Sequence, residues 1–157
     1  MRTVIVAGIV GLLCAVGAAG AQDAGPGVSM PAADVVAGRK AAMALSGAAM
    51  SGMKATIDAG GPVRSQAFAA GGLARWGRAI PGMFPAGSGA ADLAEGATGA
   101  RAEIWTSRAD FEAKAAAFAA EAQTLADLAR ADDAPGFAAQ RTVVRASCQA
   151  CHDSFKS

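Results

Sequence analysis

The residues with the most specific chemistry stand close to the end of the 157-residue chain, in the run Cys148-Gln149-Ala150-Cys151-His152. Residues three and four apart share one face of a helix. On one face, two thiols can bond to the two vinyl groups of haem, and an imidazole can ligate its iron. His152 is the single histidine of the chain, so no other imidazole competes for that role. The motif predicts haem c, one per chain, covalently bound through Cys148 and Cys151, with His152 on the iron.

Three other uses of the cysteine pair fit the sequence less well. A zinc site needs four ligands, and apart from Cys14 near the amino terminus the chain has no further cysteine or histidine. A thioredoxin-like redox pair begins a helix after a strand, whereas this pair lies near the end of the last predicted helix. A structural disulfide stays open for an exported chain, but it gives the adjacent His152 no role.

The amino-terminal segment differs from the rest of the chain. Arg2, an apolar run over residues 4–16 and the sequence Ala19-Gly20-Ala21 are typical of a signal peptide, so we expect residues 1–21 to be cleaved and the protein to be periplasmic. An uncleaved anchor helix is the alternative. The remaining domain, residues 22–157, has thirteen basic and thirteen acidic side chains, because Arg2 is lost from fourteen. With no basic cluster, we expect no nucleic-acid partner.

Two helices are predicted before a long connection. The first runs from after Pro31 to about Ala59, and a Gly-Gly-Pro sequence follows it. The second is predicted to stop at Pro81, with one apolar face formed by Phe68, Gly72, Trp76 and Ile80. The connection, from about residue 81 to 106, is rich in glycine and alanine and shows no strong period. Connections of this length are often functional.

Two more helices follow the connection. Ser107 with Asp110 three residues on predicts a capping box, and Asp133 with Pro135 predicts the start of the last helix. Apolar stripes with a period of seven favour helices packed at shallow angles. The predicted fold is therefore all-α: an antiparallel four-helix bundle of up-down-up-down order. Arg141 and Arg145 are predicted to lie on a solvated face.

A haem-attachment motif at the end of a helical bundle resembles the class II cytochromes c, which comprise cytochrome c′ and low-spin relatives of the c-556 type. The resemblance covers nearly the whole mature chain and is carried by residues 39–43, 80–85, 103–105 and 146–155. It implies a bundle with haem at one end and His152 as the proximal ligand. It further implies Met43 at the distal position, Arg39 near a haem propionate and Lys156 beside the proximal histidine.

Two branches of this family differ at the distal iron position. If the Met43 sulfur is the sixth ligand, the iron is low-spin and the protein is a one-electron carrier. If Met43 only packs over the haem, the iron is five-coordinate and high-spin and binds nitric oxide or carbon monoxide. The residues around Met43, with Gly47 and Met50 following, favour the carrier, and gas-binding cytochrome c′ is the alternative.

The expected partners follow from those two functions: redox proteins for a carrier and diatomic gases for the alternative. The resemblance implies pairing through the first two helices, while the sequence leaves a homodimer open. No catalytic triad or acid–base pair is evident, so the chain is predicted not to be an enzyme.

Overall fold

A computed structural model describes residues 30–157 of the chain, and the predicted signal peptide with Cys14 lies outside this range. Its helices are α1 (Ala32–Asp58), α2 (Ala67–Ala79), α3 (Glu103–Thr106), α4 (Arg108–Arg130) and α5 (Ala134–Phe155). Short 3-10 turns occupy Val63–Gln66, Ile80–Met83 and Ala90–Asp92. No helix within residues 30–157 combines the length and the apolar character needed to cross a membrane.

The four long helices form an antiparallel bundle. α4 lies between α2 and α5 and packs along both, while α1 closes the bundle by contacting α2 and α5 at fewer places. This arrangement confirms the predicted all-α four-helix bundle. The connection between α2 and α4 contains two of the 3-10 turns and the single turn α3.

The ends of the helices follow local chemistry. α1 stops where Gly60 adopts a positive φ of 61°, and the Gly60 and Gly61 N–H groups donate to carbonyls of the last turn at 3.0 and 2.9 Å. The Asp133 carboxylate caps α5 by accepting from the Gly136 N–H at 3.0 Å, as predicted. The prediction of a capping box at Ser107 is wrong. The Ser107 side chain caps nothing, because its N–H closes α3 by donating to Glu103 and its backbone is not extended.

The interface between α2 and α4 is built from small residues. A Cβ added at Gly77 would stand 2.8 Å from Cα and Cβ of Ala119, so only glycine allows this approach. The other small residues buried in this interface are Ala70 and Ala74 of α2 with Ala115, Ala122 and Ala126 of α4. These two helices form the closely packed half of the bundle.

The predicted apolar face of α2 is partly wrong. Phe68 is 84% exposed, whereas Ile80 is buried and Trp76 half-buried. Residues at steps of four drift by about 40° per step around a helix, since each residue turns by about 100°. The stripe therefore starts outside the bundle at Phe68 and reaches the interior only at its end. The face that packs on α4 runs through Ala70, Leu73, Ala74 and Gly77.

Candidate haem-binding site

The attachment motif lies in the last two turns of α5, on the side that faces the bundle. Cys148 and Cys151 are half-buried, have free thiols and pack against the hydrophobic core. Val144 lies seven residues before Cys151, and Phe155 lies seven residues after Cys148. Both are buried and continue the same face. His152 is exposed at the edge of that face. The structure thus brings the three predicted residues together on one wall.

Two adjoining cavities lie between α1 and α5. The first, of about 370 Å³, is also lined by α2 and α4, and the second, of about 300 Å³, extends to the connection and the carboxyl terminus. Both volumes are of the size expected for cofactor pockets. The cavities share four wall residues, which are Met43, Ile80, Cys151 and His152, while Cys148 lines only the first.

The first cavity suits a flat apolar ring. Leu73, Trp76 and Phe118 supply aliphatic and aromatic wall. Beside Gly47 of α1 the space is open, since a Cβ added there would meet no atom within 4 Å. An apolar space bounded on one side by two thiols and an imidazole fits haem c and its covalent attachment.

Met43 is placed at the junction of the two cavities. It is a half-buried residue of α1 and lines both cavities, as His152 of α5 does. The site is therefore bounded by a thioether on α1 and by the imidazole on α5. Methionine is also a flexible filler of irregular apolar space, so this placement is compatible with ligation and with packing alike.

Arg39 is a buried cation that has no acidic partner among residues 30–157. It is only 3% exposed, and it lines the second cavity. Its guanidinium donates to the Ser88 hydroxyl at 2.9 Å, to the Ser88 carbonyl at 2.7 Å and to the Thr98 hydroxyl at 2.8 Å. It also stacks on Phe84, with 4.3 Å from Cζ to the ring centroid. Burial lowers the pKa of Arg39.

These contacts tie α1 to the connection, a role that sequence reasoning missed because every acceptor lies more than forty residues away.

Lys156 follows α5 and is exposed at the second cavity. Its N–H donates to the His152 carbonyl at 3.0 Å, which completes the last turn of the helix. Burial lowers the pKa of His152, and the Lys156 charge lowers it further, while Asp153 opposes both. The lowered pKa favours the neutral imidazole, which is the form that coordinates a metal.

Two opposing influences act on the ionisation of each cysteine thiol. Burial raises the pKa of Cys148 and of Cys151, and the positive charges of Arg145 and Lys114 respectively act against it. Although Cys148, Cys151 and His152 share one wall, no group of three or more His, Cys, Asp or Glu side chains within residues 30–157 could by itself hold a metal ion.

Three basic residues of the first cavity were not assigned to the site from sequence. Arg141 and Arg145 were predicted on a solvated face, which is wrong for Arg141: it is half-buried, and its Nε donates to the Met50 carbonyl at 3.0 Å. Both arginines line the first cavity, as does Lys114 of α4. The sequence could have placed both arginines at the site, because Arg141 and Arg145 lie seven and three residues before Cys148 and so share its face of α5.

Comparison with known proteins decides the family. The sequence profile described as Cytochrome C' matches residues 34–156, which run from the first turn of α1 through the attachment motif. The chain belongs to the cytochrome c′ family. The resemblance to class II cytochromes c is thereby confirmed. Cytochromes c′ are haem proteins rather than enzymes, which also confirms that this chain is not an enzyme.

Solved cytochromes c′ share the fold. Cytochrome c prime from Shewanella frigidimarina is 29% identical, with a TM-score of 0.70 over 82% of this chain and 98% of that one. The nitric oxide complex of a mutant cytochrome c prime from Alcaligenes xylosoxidans is 27% identical, with a TM-score of 0.70 and the same coverage of both chains. A cytochrome c′ with ligand-controlled dimer dissociation is 20% identical, with a TM-score of 0.76 over 82% of this chain and 98% of that one. No curated protein sequence matches the chain.

Proposed function

We propose that the protein is an exported c-type cytochrome that binds nitric oxide or carbon monoxide at a five-coordinate, high-spin haem iron. The observation that carries the proposal is the placement of Cys148, Cys151 and His152 on the wall of an apolar double cavity, in a chain of the cytochrome c′ family. The nitric oxide complex of the Alcaligenes xylosoxidans protein, 27% identical, supports gas binding as the function.

Three side chains of α5 hold the cofactor in this proposal. Cys148 and Cys151 would each hold the haem by one thioether bond, and the neutral His152 imidazole would ligate its iron. Haem c, when bound, supplies the iron that binds the gas and exchanges one electron. Because all three attachments stand on adjacent turns of one helix, they fix the orientation of the ring relative to α1.

Arg39 and Lys156 supply positive charge at the second cavity. Arg39 has neutral hydrogen-bond partners only, so a haem propionate is the counter-charge that its burial calls for. Lys156 has a different effect, because its charge favours the unprotonated form of His152. Arg39 would thus orient the ring edge, and Lys156 adds to burial in favouring the neutral imidazole of His152.

Part of the cavity wall is apolar, which suits an uncharged diatomic ligand. Met43, Leu73 and Ile80 offer no proton to a bound ligand. The nearby Ser46 hydroxyl is already engaged, since it donates to the Ala42 carbonyl at 2.8 Å. The Trp76 indole N–H also lines the first cavity, where it is buried without a hydrogen-bond partner among residues 30–157, so the wall retains a free donor beside these apolar side chains.

The electron carrier predicted from the sequence is the second candidate. It is favoured by one observation, the Met43 thioether on the wall of both cavities beside the open space at Gly47. Sulfur ligation would keep the iron low-spin in both oxidation states and would slow gas binding. The named relatives, all cytochromes c′, favour gas binding instead.

Absorption spectra of the ferric and ferrous protein distinguish the two candidates. Met43→Leu removes the sulfur at similar volume, and Met50→Leu is the matched control on the same helix. Gas binding predicts high-spin spectra for all three proteins. A low-spin wild type that becomes high-spin only in Met43→Leu would establish the electron carrier and overturn the proposal.

Export and self-association complete the proposal. Covalent haem attachment agrees with export by residues 1–21, so the mature chain should begin at Gln22 in the periplasm. Exposed apolar side chains on the first two helices, Leu45 at 69% and Phe68 at 84%, support a homodimer. Sedimentation of the wild type and of Phe68→Glu tests this association: a dimer that persists unchanged in the variant would exclude Phe68 from the interface.

A further inference from the structure

The opening of the double cavity is lined by positive charge. Among the residues that the structure describes, no Asp or Glu lines either cavity, whereas six basic side chains do: Arg39, Lys40, Lys114, Arg141, Arg145 and Lys156. Within the same part of the chain, none of these six belongs to an ion pair. The basic residues that form ion pairs are Lys54, Arg64, Arg101, Arg108 and Arg130. The opening therefore has uncompensated positive charge.

This charge is accessible around the attachment motif. Lys40, Arg145 and Lys156 are exposed, and Lys114 and Arg141 are half-buried. The Lys40 ammonium bonds only to the Ala97 carbonyl, at 3.4 Å. Two carboxylates stand near the motif without lining the cavities, Asp110 near Cys151 and Asp153 near His152. The Asp153 carboxylate accepts a hydrogen bond from Gln149 at 2.6 Å. The two carboxylates offset only part of the six positive charges that line the cavities.

The excess of positive charge at the cavities stands out because the mature chain as a whole has no net charge. Thirteen basic residues balance thirteen acidic ones after removal of residues 1–21. Charges within about 10 Å of one another act together at moderate salt. Two haem propionates would neutralise part of the six positive charges and leave an excess at the opening.

We propose that the basic rim, defined as Lys40, Lys114, Arg141, Arg145 and Lys156, is the docking surface for an acidic protein that exchanges electrons with the haem. The inference rests on the proposed function only in that haem must fill the cavities. Complementary charge steers a partner to this face and raises the association rate. Docking there brings the partner to the cavity opening, which is the shortest approach to the cofactor.

A protein surface suits the rim better than an anionic membrane does. Peripheral membrane binding combines basic residues with apolar side chains that enter the bilayer. The large apolar side chains that are exposed in the described residues are Met30, Leu45, Phe68 and Val143. None of these four lines either cavity. The rim is thus charged without an apolar insertion element.

Two small oxidants of opposite charge test the electrostatics on the ferrous holoprotein. We expect anionic hexacyanoferrate(III) to react faster at low salt than at high salt, and cationic tris(phenanthroline)cobalt(III) to show the reverse. Stopped-flow absorbance of the haem gives both rates. A protein without haem would refute the proposed function, whereas a haem protein with the same salt dependence for both oxidants would refute the docking surface alone.

Charge reversal assigns the effect to the rim. Lys40→Glu and Arg145→Glu each place a negative charge at one cavity, and the matched control is Arg78→Glu, at an exposed arginine that lines neither cavity. We expect each rim variant to slow hexacyanoferrate(III) by about three- to tenfold and to accelerate the cobalt complex. A change of haem potential would move both rates in one direction. Equal effects from Arg78→Glu would overturn the assignment.

A labelled oligoglutamate peptide represents the acidic protein. Its fluorescence should be quenched by the haem when it docks, and the affinity should fall in Arg145→Glu but not in Arg78→Glu. Vesicles of phosphatidylglycerol provide the membrane arm of the test. Binding to vesicles without peptide quenching would replace the protein partner by a membrane surface, and peptide binding that Arg145→Glu leaves intact would place the site elsewhere.

Discussion

The two halves of the bundle are built differently. α2 and α4 meet at Gly77, where an added Cβ would stand 2.8 Å from Ala119, whereas the same atom at Gly47 of α1 would meet nothing within 4 Å. α4 buries eight of its 23 residues. α1 buries four of its 27 residues, and its central methionines line the cavities. One half is close-packed protein and the other encloses a space.

From this difference we expect the cofactor to form part of the core. An amphipathic helix is stable in a bundle only when its apolar stripe is covered. Met43 and Met50 of α1 are only half-buried because they face the cavities. A haem between α1 and α5 would cover them. We therefore expect the α2–α4 half to fold without haem and the α1 half to depend on it.

Removing the covalent anchors should have the largest effect on this difference. In Cys148→Ser/Cys151→Ser the haem is no longer bonded, so we expect the free energy of unfolding to fall by about 4 kcal/mol or more. Amide hydrogen exchange should accelerate most in α1 and least in α4. Uniform acceleration in all four helices would show that the two halves form one cooperative unit.

Overpacking the closed half should have the next largest effect. Gly77→Ala forces a methyl group against Ala119, and we expect a loss of about 1–3 kcal/mol in the free energy of unfolding. Gly72→Ala in the same helix meets no atom within 4 Å and should gain about 0.5–1 kcal/mol. Chemical denaturation measures both. Equal effects of the two variants would contradict the close approach at Gly77.

Filling the open half should change the haem with less effect on stability. Gly47→Leu places a side chain in the first cavity, where the ring is expected, and should shift the haem spectrum and lower haem content. Gly52→Leu is the control, since it lies on the same helix and also meets no atom within 4 Å, but lines no cavity. The same spectrum in both variants would place the ring away from Gly47.

The smallest effect is expected at the start of α5, far from the Gly77 contact and from the cavities. Asp133→Ala removes the cap of α5, whose amino-terminal end lies four turns before the motif, and should cost about 1 kcal/mol. The haem spectrum should stay that of the wild type, as absorption and denaturation curves together can show. A spectral change would mean that the position of the attachment turn depends on the cap.

The motif and the bundle could be predicted from the sequence because both depend on local spacing. Cys148, Cys151 and His152 share a face by helical geometry alone, and Asp133 caps the helix that it precedes. Phe68 was misplaced because a step of four drifts around the helix. The contacts of Arg39 with Ser88 and Thr98 depend on how the connection folds back on α1, which no local pattern encodes.

The exposure of Arg141 was misjudged for a related reason. Whether a charged face is solvated depends on what the neighbouring helix leaves open, and here α1 leaves two cavities beside it. The choice between the two iron coordinations likewise depends on the last ångströms between the Met43 sulfur and the iron. Residue spacing alone does not determine that distance.

The mass of the intact purified chain after denaturation tests the central claim, that haem is bonded to Cys148 and Cys151 between α1 and α5. The expected mass is that of residues 22–157 plus one haem. The haem should stay with the chain through extraction in acid acetone. In Cys148→Ser/Cys151→Ser the mass should be that of the chain alone. A wild-type chain that loses its haem on extraction, or never has the added mass, would contradict the account.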